Sequence, residues 1–441
     1  MNTAYSSMTA GDVGAVWWAW AATILVVLAI GYDVRRDVRR IVSARNVVLL
    51  SLFAWYLLEA IQAGPEVFAY GAGAYEWAVF AVVLAGVAFL IGYHRSRAQV
   101  FDAVSGHVAQ LQDRHTLRRT LALGVLIGMV PLVVYGLSDP GSTLRALTSM
   151  RRHWGGPLGR GTLGDFRAAV LMLETFLFGV AWVALIVLAD RRRTRGFTLL
   201  AAGVVGWNLV RSYGTGTRSM LFLSLVPVAA LWYWRADAAR RRVLLYAAIP
   251  CAAMFYWLAG VIAESRNEGR LNFSKPVSYV GAEMFRELLF IMDEVPRRHE
   301  YLYGETYLIE LVNPIPRFLW AEKPMGFGVT YARWRGYDTL AGGPNLSPGI
   351  LGEMYANFGL AGIVLVSLAG GVLCRAWDRM PARYPRSLPV LMLYSLGLGG
   401  LVLMGRSFSI QVHYQLLASL LCVVLVTRAG TSRAEDRRCP A

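Results

Sequence analysis

Apolar residues in this chain gather into runs of roughly 17 to 22, the length an α-helix needs to cross about 30 Å of hydrocarbon while its backbone groups bond to one another. Nothing else in the sequence restricts the fold as strongly. Eleven segments carry the pattern: 13–32, 46–63, 77–93, 120–138, 168–189, 197–213, 219–234, 243–262, 350–373, 388–405 and 412–426. With 56% hydrophobic residues and a mean hydropathy of +0.45, the chain is too apolar for an ordinary water-soluble protein. It therefore reads as an all-α, polytopic membrane bundle of about eleven helices, one integral domain over residues 1–441.

The net charge of +16 would suit nucleic acid if it were spread over a surface, but its distribution argues for a membrane instead. Basic clusters recur on alternate connections: "RRDVRR" at 35–40, then 94–119, "DRRRTR" at 190–195, "RADAARRR" at 235–242, 374–386 and the tail 428–441. Eleven spans put all of these on one face, which the positive-inside rule makes cytoplasmic, with the N-terminus outside and the C-terminus inside. The first segment lacks a basic leader and an obvious small-residue cleavage site, so it reads as a retained helix. Cys251, Cys374, Cys422 and Cys439 are scattered, without the spacing of a disulfide framework or a zinc site.

On the opposite face lies "RSYGTGTRSMLF", 211–222, a glycine and threonine joint with an arginine at each end. Arg211 and Arg218 sit where the charge rule does not ask for them. Arg266 and Arg270, Arg317 and Arg406 share that face, and Glu59, Glu174 and Glu353 lie in the outer halves of apolar segments, Glu174 about two turns in. An ionisable side chain at mid-membrane costs about 2.5–3.5 kcal/mol on insertion scales, so such groups normally face protein or a wet cavity. Singly, each has a plain explanation: an arginine snorkelling to headgroups, a structural ion pair for Glu59 or Glu174, a packing role for His413. Together they surround one mouth of a bundle with guanidinium forks, which match phosphate oxygens bidentately. A phosphorylated or diphosphorylated lipid headgroup is the natural guest.

The connection 263–349 is the longest on that face, and so should hold structure of its own. Within 280–295 the spacing predicts a helix with Val280, Met284, Leu288, Met292 and Val295 on one side and Glu283, Arg286 and Glu287 turned away. Such a helix would lie on the membrane, cap the bundle, or pack against the rest of the loop. "NPIPRFLWAEKPMGFG", 313–328, has three prolines that exclude a continuous helix and favour an ordered turn around Arg317 and Lys323. The loop 139–167, with "RRHWGGPLGRG", also falls outside.

Three stretches, "TGTRSMLF" (215–222), "NPIPRFLWAEKPMGFG" and "SPGILGEMYANFGLAG" (347–362), resemble in that order motifs of bacterial oligosaccharide repeat-unit polymerases of the O-antigen polymerase (Wzy-type) family. The match spans roughly the second half of the chain; the loop 139–167 and "GRSFSIQVHY" (405–414) fit no family pattern. The resemblance implies a multi-pass glycosyltransferase of the bacterial inner membrane that uses no cofactor. Its substrate would be an undecaprenyl-diphosphate-linked oligosaccharide, elongated at the outer leaflet, with membrane lipid around it and a flippase and a chain-length regulator as pathway partners. Guanidiniums would stabilise the diphosphate leaving group without a metal, and a base would take the proton of the attacking sugar hydroxyl. Arg218, Arg317 and Arg406 are the leading diphosphate ligands, followed by Arg211 and Arg266. Glu353 is the leading base, then His413 and Glu264, although a carboxylate in a first helical turn is also stabilised by the helix itself.

Three rivals differ in testable ways. A metal-using polyprenyl-phosphate-sugar transferase would carry paired carboxylates in the first outer loop, and 64–76 holds only Glu66 and the boundary Glu76. An O-antigen ligase differs mainly in its acceptor. A flippase would place polar groups along a path through the bilayer and often shows internal repeats, neither of which is visible here.

Overall fold

The computed structural model describes residues 10–62, 65–148, 166–189, 194–215, 218–247, 250, 254, 257, 284–312, 315, 319–320, 322–337, 346–405 and 410–436. Among the described residues the regular structure is entirely helical. The principal helices are α1 (Ala10–Arg36), α2 (Ala44–Gln62), α3 (Ala72–Arg95), α4 (Arg114–Gly136), α5 (Val170–Leu188), α6 (Arg195–Thr215) and α7 (Arg218–Arg235). After these come α8 (Met284–Glu294), α9 (Glu305–Val312), α10 (Phe327–Trp334), α11 (Ile350–Arg383), α12 (Leu388–Met404) and α13 (Ile410–Asp436). Six of them, α1 to α5 and α11, are long and apolar enough to cross a membrane, so the chain is a helical membrane protein. The expected segments 197–213, 219–234, 388–405 and 412–426 coincide with α6, α7, α12 and α13, while most of 243–262 lies outside the described residues.

Close packing of α3 on α11 forms the spine of the bundle. A Cβ on Gly92 would come within 2.1 Å of the Leu368 carbonyl, and one on Gly371 within 2.1 Å of that of Phe89, so each glycine admits the other helix's backbone. Aliphatic side chains of α1, α2 and α3 fill one half of the core around Leu52, Leu57 and Val82. The other half is built by α4, α5, α7, α12 and α13 around Leu121, Val183 and Leu393.

Helix α11 is two helices. Phe358 (φ −145°, ψ 20°) and Gly359 (φ 61°, ψ −146°) leave the helical region, and Gly359 adopts a conformation open to glycine alone. Met354 Sδ and Ser367 Oγ lie 3.8 Å apart, although thirteen residues of straight helix would separate them by about 20 Å. The chain therefore doubles back at 358–359, joining a short limb, 350–357, to a long limb, 360–383. The single span expected over 350–373 is corrected accordingly: the membrane-length piece is the long limb, and residues 350–357 pack against it as protein core.

Basic residues gather at one end of the bundle. Arg35 and Arg36 close α1, Arg95 closes α3, Arg235 closes α7 and Arg383 closes α11. Cross-links confirm that these termini are neighbours: Arg379 Nη1 donates to the Arg97 carbonyl at 2.9 Å, and the Tyr233 hydroxyl to that of Val38 at 2.7 Å.

Candidate functional site

The opposite end holds Glu353, and its architecture starts in α2. Residues 53–57 form a π-helical turn in which the Leu58 N–H reaches back to the Phe53 carbonyl. Such one-residue insertions re-aim side chains and recur at functional positions. Here Tyr56 and, one turn on, Glu59 are both buried. Glu59 Oε2 accepts from the backbone N–H of Phe285 at 2.8 Å and of Arg286 at 3.4 Å, so it caps the N-terminus of α8.

Tyr56 ties three elements together. Its hydroxyl donates to the Gly405 carbonyl at 2.9 Å and accepts from the Leu351 N–H at 3.0 Å, while the Ile350 N–H donates to Gly405 at 3.3 Å. The N-terminus of the short limb is thereby fastened to the end of α12, one residue before Arg406. Glu353 follows one turn into the limb, 4% exposed and within electrostatic reach of Tyr56 and Tyr307. Burial pushes the Tyr307 hydroxyl well above the usual phenol range, and the Glu353 charge pushes it further, so Tyr307 stays protonated.

The reversal leaves carbonyls of the short limb without helical partners, and the segment before α9 takes them up. Leu302 N–H donates to the Ala356 carbonyl at 2.9 Å and Tyr303 N–H to that of Asn357 at 3.0 Å. Asn357 completes the clamp: its Oδ1 accepts from the Gly304 N–H at 2.9 Å, and its Nδ2 donates to Thr306 Oγ1 and to the Glu353 carbonyl, each at 2.8 Å. Glu353 is thus held by a broken helix whose freed backbone groups are satisfied from outside.

Helix α8 departs from expectation in one respect. Met284, Leu288 and Val295 are buried as the periodicity requires, but Glu287, expected to turn away, is buried too. The Tyr331 hydroxyl of α10 donates to it, and Arg335 Nη2 donates at 3.3 Å while its guanidinium lies 4.5 Å from the centre of the Phe290 ring.

Among the arginine candidates, Arg211 is already engaged. Its Nε and Nη2 donate to the two carboxylate oxygens of Glu174 at 2.6 and 2.9 Å, and Trp207 Nε1 adds a third bond at 2.9 Å. Arg218 opens α7 and His413 lies in the first turn of α13, with their side chains outside the description. Arg266, Arg317, Arg406 and Glu264 lie outside the described residues, as do 149–165 and 258–283. Glu353 is therefore grouped with Tyr56, Asn357, Thr306, Tyr307 and the Gly405 end of α12, whereas Arg211 belongs to the α5–α6 contact. Among the described residues, no group of three or more His, Cys, Asp or Glu is placed to hold a metal ion.

Sequence reasoning missed the counterpart at the basic end. Asp378, within a stretch read as a charged connection, accepts from Ala44 N–H at 2.8 Å, Arg45 N–H at 3.4 Å, the Tyr93 hydroxyl at 2.7 Å and the Tyr394 hydroxyl at 2.5 Å. Beside it Arg45, 3% exposed, pairs with Asp33 at 3.4 Å and donates to Asn46 Oδ1 at 2.6 Å. Comparison with protein-family models, curated proteins and solved structures gives no match.

Proposed function

We propose that the chain is a bacterial inner-membrane glycosyltransferase that joins oligosaccharide repeat units carried on undecaprenyl diphosphate, with the Glu353 end facing outward and the arginine-rich end in the cytoplasm. Eleven spans, an external N-terminus and a cytoplasmic C-terminus complete this reading. The supporting observation is that the stretch resembling the family's Gly-Glu-x-Tyr-x-Asn-Phe-Gly motif is built as a buried half-helix. It presents Glu353 beside Tyr56 and is tied to the residue preceding Arg406.

In this mechanism a hydroxyl of the incoming lipid-linked unit attacks the anomeric carbon of the growing chain. Its proton passes to the Glu353 carboxylate as the bond from that carbon to the diphosphate oxygen breaks. The diphosphate leaves with the polyprenyl carrier, and Arg218, Arg317 and Arg406, with Arg266, stabilise its developing charge. Arg211, a diphosphate ligand by sequence, has its fork filled by Glu174 and braces α5 against α6 instead. Asn357 and Tyr56 position the limb that carries the base, and His413 and Glu264 are the second-rank bases.

The test is elongation of a polyprenyl-diphosphate-linked repeat unit by purified protein in nanodiscs, read as a ladder of chain lengths. Glu353→Gln is expected to keep the wild-type unfolding midpoint and to lose the ladder. A Glu353→Gln protein that elongates at the wild-type rate would falsify the assignment. Transfer to lipid A core, without chain growth, would convert the reading to a ligase.

A further inference from the structure

The segment that clamps the short limb turns a second face outward, and that face is apolar. In α9, Thr306 and Ile309 are buried against the bundle while Leu308 and Leu311 are 64% and 70% exposed. Beyond the helix Ile315, Leu319 and Trp320 are exposed as well, Leu319 to 70% and Trp320 to 41%. Tyr303, 73% exposed, stands at its other end with a positive φ of 44°, a conformation that costs a non-glycine residue about 1–3 kcal/mol. Its own N–H, bonded to the Asn357 carbonyl, holds it there. The far turn is built as deliberately. Lys323 is buried, with Nζ donating to the Ile315 carbonyl at 2.9 Å and its N–H to that of Trp320 at 3.1 Å, which props Leu319 and Trp320 outward.

Four large aliphatic side chains and two aromatics exposed within one short segment are anomalous against water. The ridge's position names the occupant. Tyr303 and Gly304 are bonded to Asn357, two or three residues before the long limb of α11 begins its crossing, and a Cβ on Gly304 would lie 3.1 Å from the Phe358 ring. Phe358, Leu365 and Leu368 continue the exposed apolar surface down that limb. The eight residues of α9 extend only about 12 Å, so the ridge stays at the level of the headgroups and upper acyl chains. Tyrosine and tryptophan flanking leucines is the composition of that layer, and the exposed Glu305 marks its polar edge.

We propose that the ridge formed by Tyr303, Leu308, Leu311, Ile315, Leu319 and Trp320 lies in the bilayer interface on the Glu353 side, with lipid as its partner. Asn357 then couples it to the site: one face of α9 rests on the limb that carries Glu353 and the other on the membrane. This rests on the membrane-spanning fold and not on the glycosyl-transfer reading, so each can fail without the other.

The test uses the full-length protein at one copy per nanodisc, with Cys251 and Cys439 changed to serine and a single new cysteine labelled with an environment-sensitive nitrobenzoxadiazole. Cys374 and Cys422 are buried, and protein without the new cysteine supplies the labelling blank. Leu308→Cys and Leu311→Cys are compared with Glu300→Cys, an exposed site off the ridge. The expected result is strong quenching at 308 and 311 by lipids with a doxyl group high on the acyl chain, weaker quenching by deep doxyl, and iodide quenching several-fold below that at 300. Iodide quenching at 308 equal to that at 300, with no response to doxyl lipid, overturns the proposal. So does protection that appears only when two copies share a disc.

Discussion

At the basic end of the bundle, one carboxylate gathers four donors from α2, α3 and α12; at the other, a carboxylate sits in a limb two turns long whose backbone is completed by a neighbouring segment. Asp378 and Glu353 are both acidic residues of α11, near its opposite ends. The first spends its hydrogen-bonding capacity on joining helices. The second is surrounded by groups that are themselves held by Tyr56, Asn357 and Gly405. The difference teaches that a buried charge inside a membrane bundle is read by what its neighbours hold, and not by its burial alone.

Removing the carboxylates and their supports in turn should separate the two ends. The largest effect is expected from Asp378→Ala, which takes the acceptor from the Arg45 N–H and the Tyr93 hydroxyl and leaves the Ala44 N–H only Tyr394 Oη at 3.2 Å and the Tyr394 hydroxyl only the Val42 carbonyl at 3.4 Å. At about 1–3 kcal/mol for each of the two orphaned donors and about 1 kcal/mol for each of the two other bonds lost, the loss is about 4–8 kcal/mol, seen as a collapse of folded yield and unfolding midpoint in detergent. Next comes Asn357→Ala, which deletes three hydrogen bonds at about 1 kcal/mol each. Its mark should be faster proteolysis within 299–312, with a smaller fall in midpoint than Asp378→Ala. If both variants lose equal stability and neither exposes 299–312, the two ends are the same kind of structure.

Gly359→Ala should cost about 1–2 kcal/mol, since alanine at this φ is strained and its methyl would meet the Tyr301 hydroxyl at 3.1 Å. Differential scanning in nanodiscs measures it, and the same change in a Tyr301→Phe background isolates the strain. The smallest effect belongs to the basic end. Asp113 caps α4, its carboxylate accepting from the Thr116 N–H at 3.0 Å, and this bond holds its pKa below the usual aspartate value. A depressed carboxylate stabilises above the unfolded value and loses that contribution as pH falls through the folded one. Asp113→Ala should therefore lower stability by about 1 kcal/mol or less at neutral pH and by progressively less in acid.

Helix positions and the segregation of arginine were legible in the sequence because both follow from one-dimensional properties: apolar length and the sign of the connections. The doubling back of α11 was harder. Asn357-Phe358-Gly359 carries the glycine that ends helices, yet apolar residues on both sides let hydropathy run straight through it. Asp378 stayed hidden because its donors Tyr93 and Ala44 are 285 and 334 residues away in the chain. Glu287 was placed on the outer side of α8 by spacing alone, and it is Tyr331, 44 residues later, that brings it inside. Arg211 and Glu174 show the intermediate case: both stood out as charges in apolar runs, and only the packing of α6 on α5 makes them each other's partner.

The doubled-back chain also dictates a schedule. A translocon can hand residues 360–383 to lipid as soon as they emerge, but residues 350–357 find no resting place until 302–306 has folded and the end of α12 has arrived. Closure of the limb that carries Glu353 would then be the last step this polypeptide completes, and a ribosome-bound intermediate ending before Gly405 should be inserted yet unfinished.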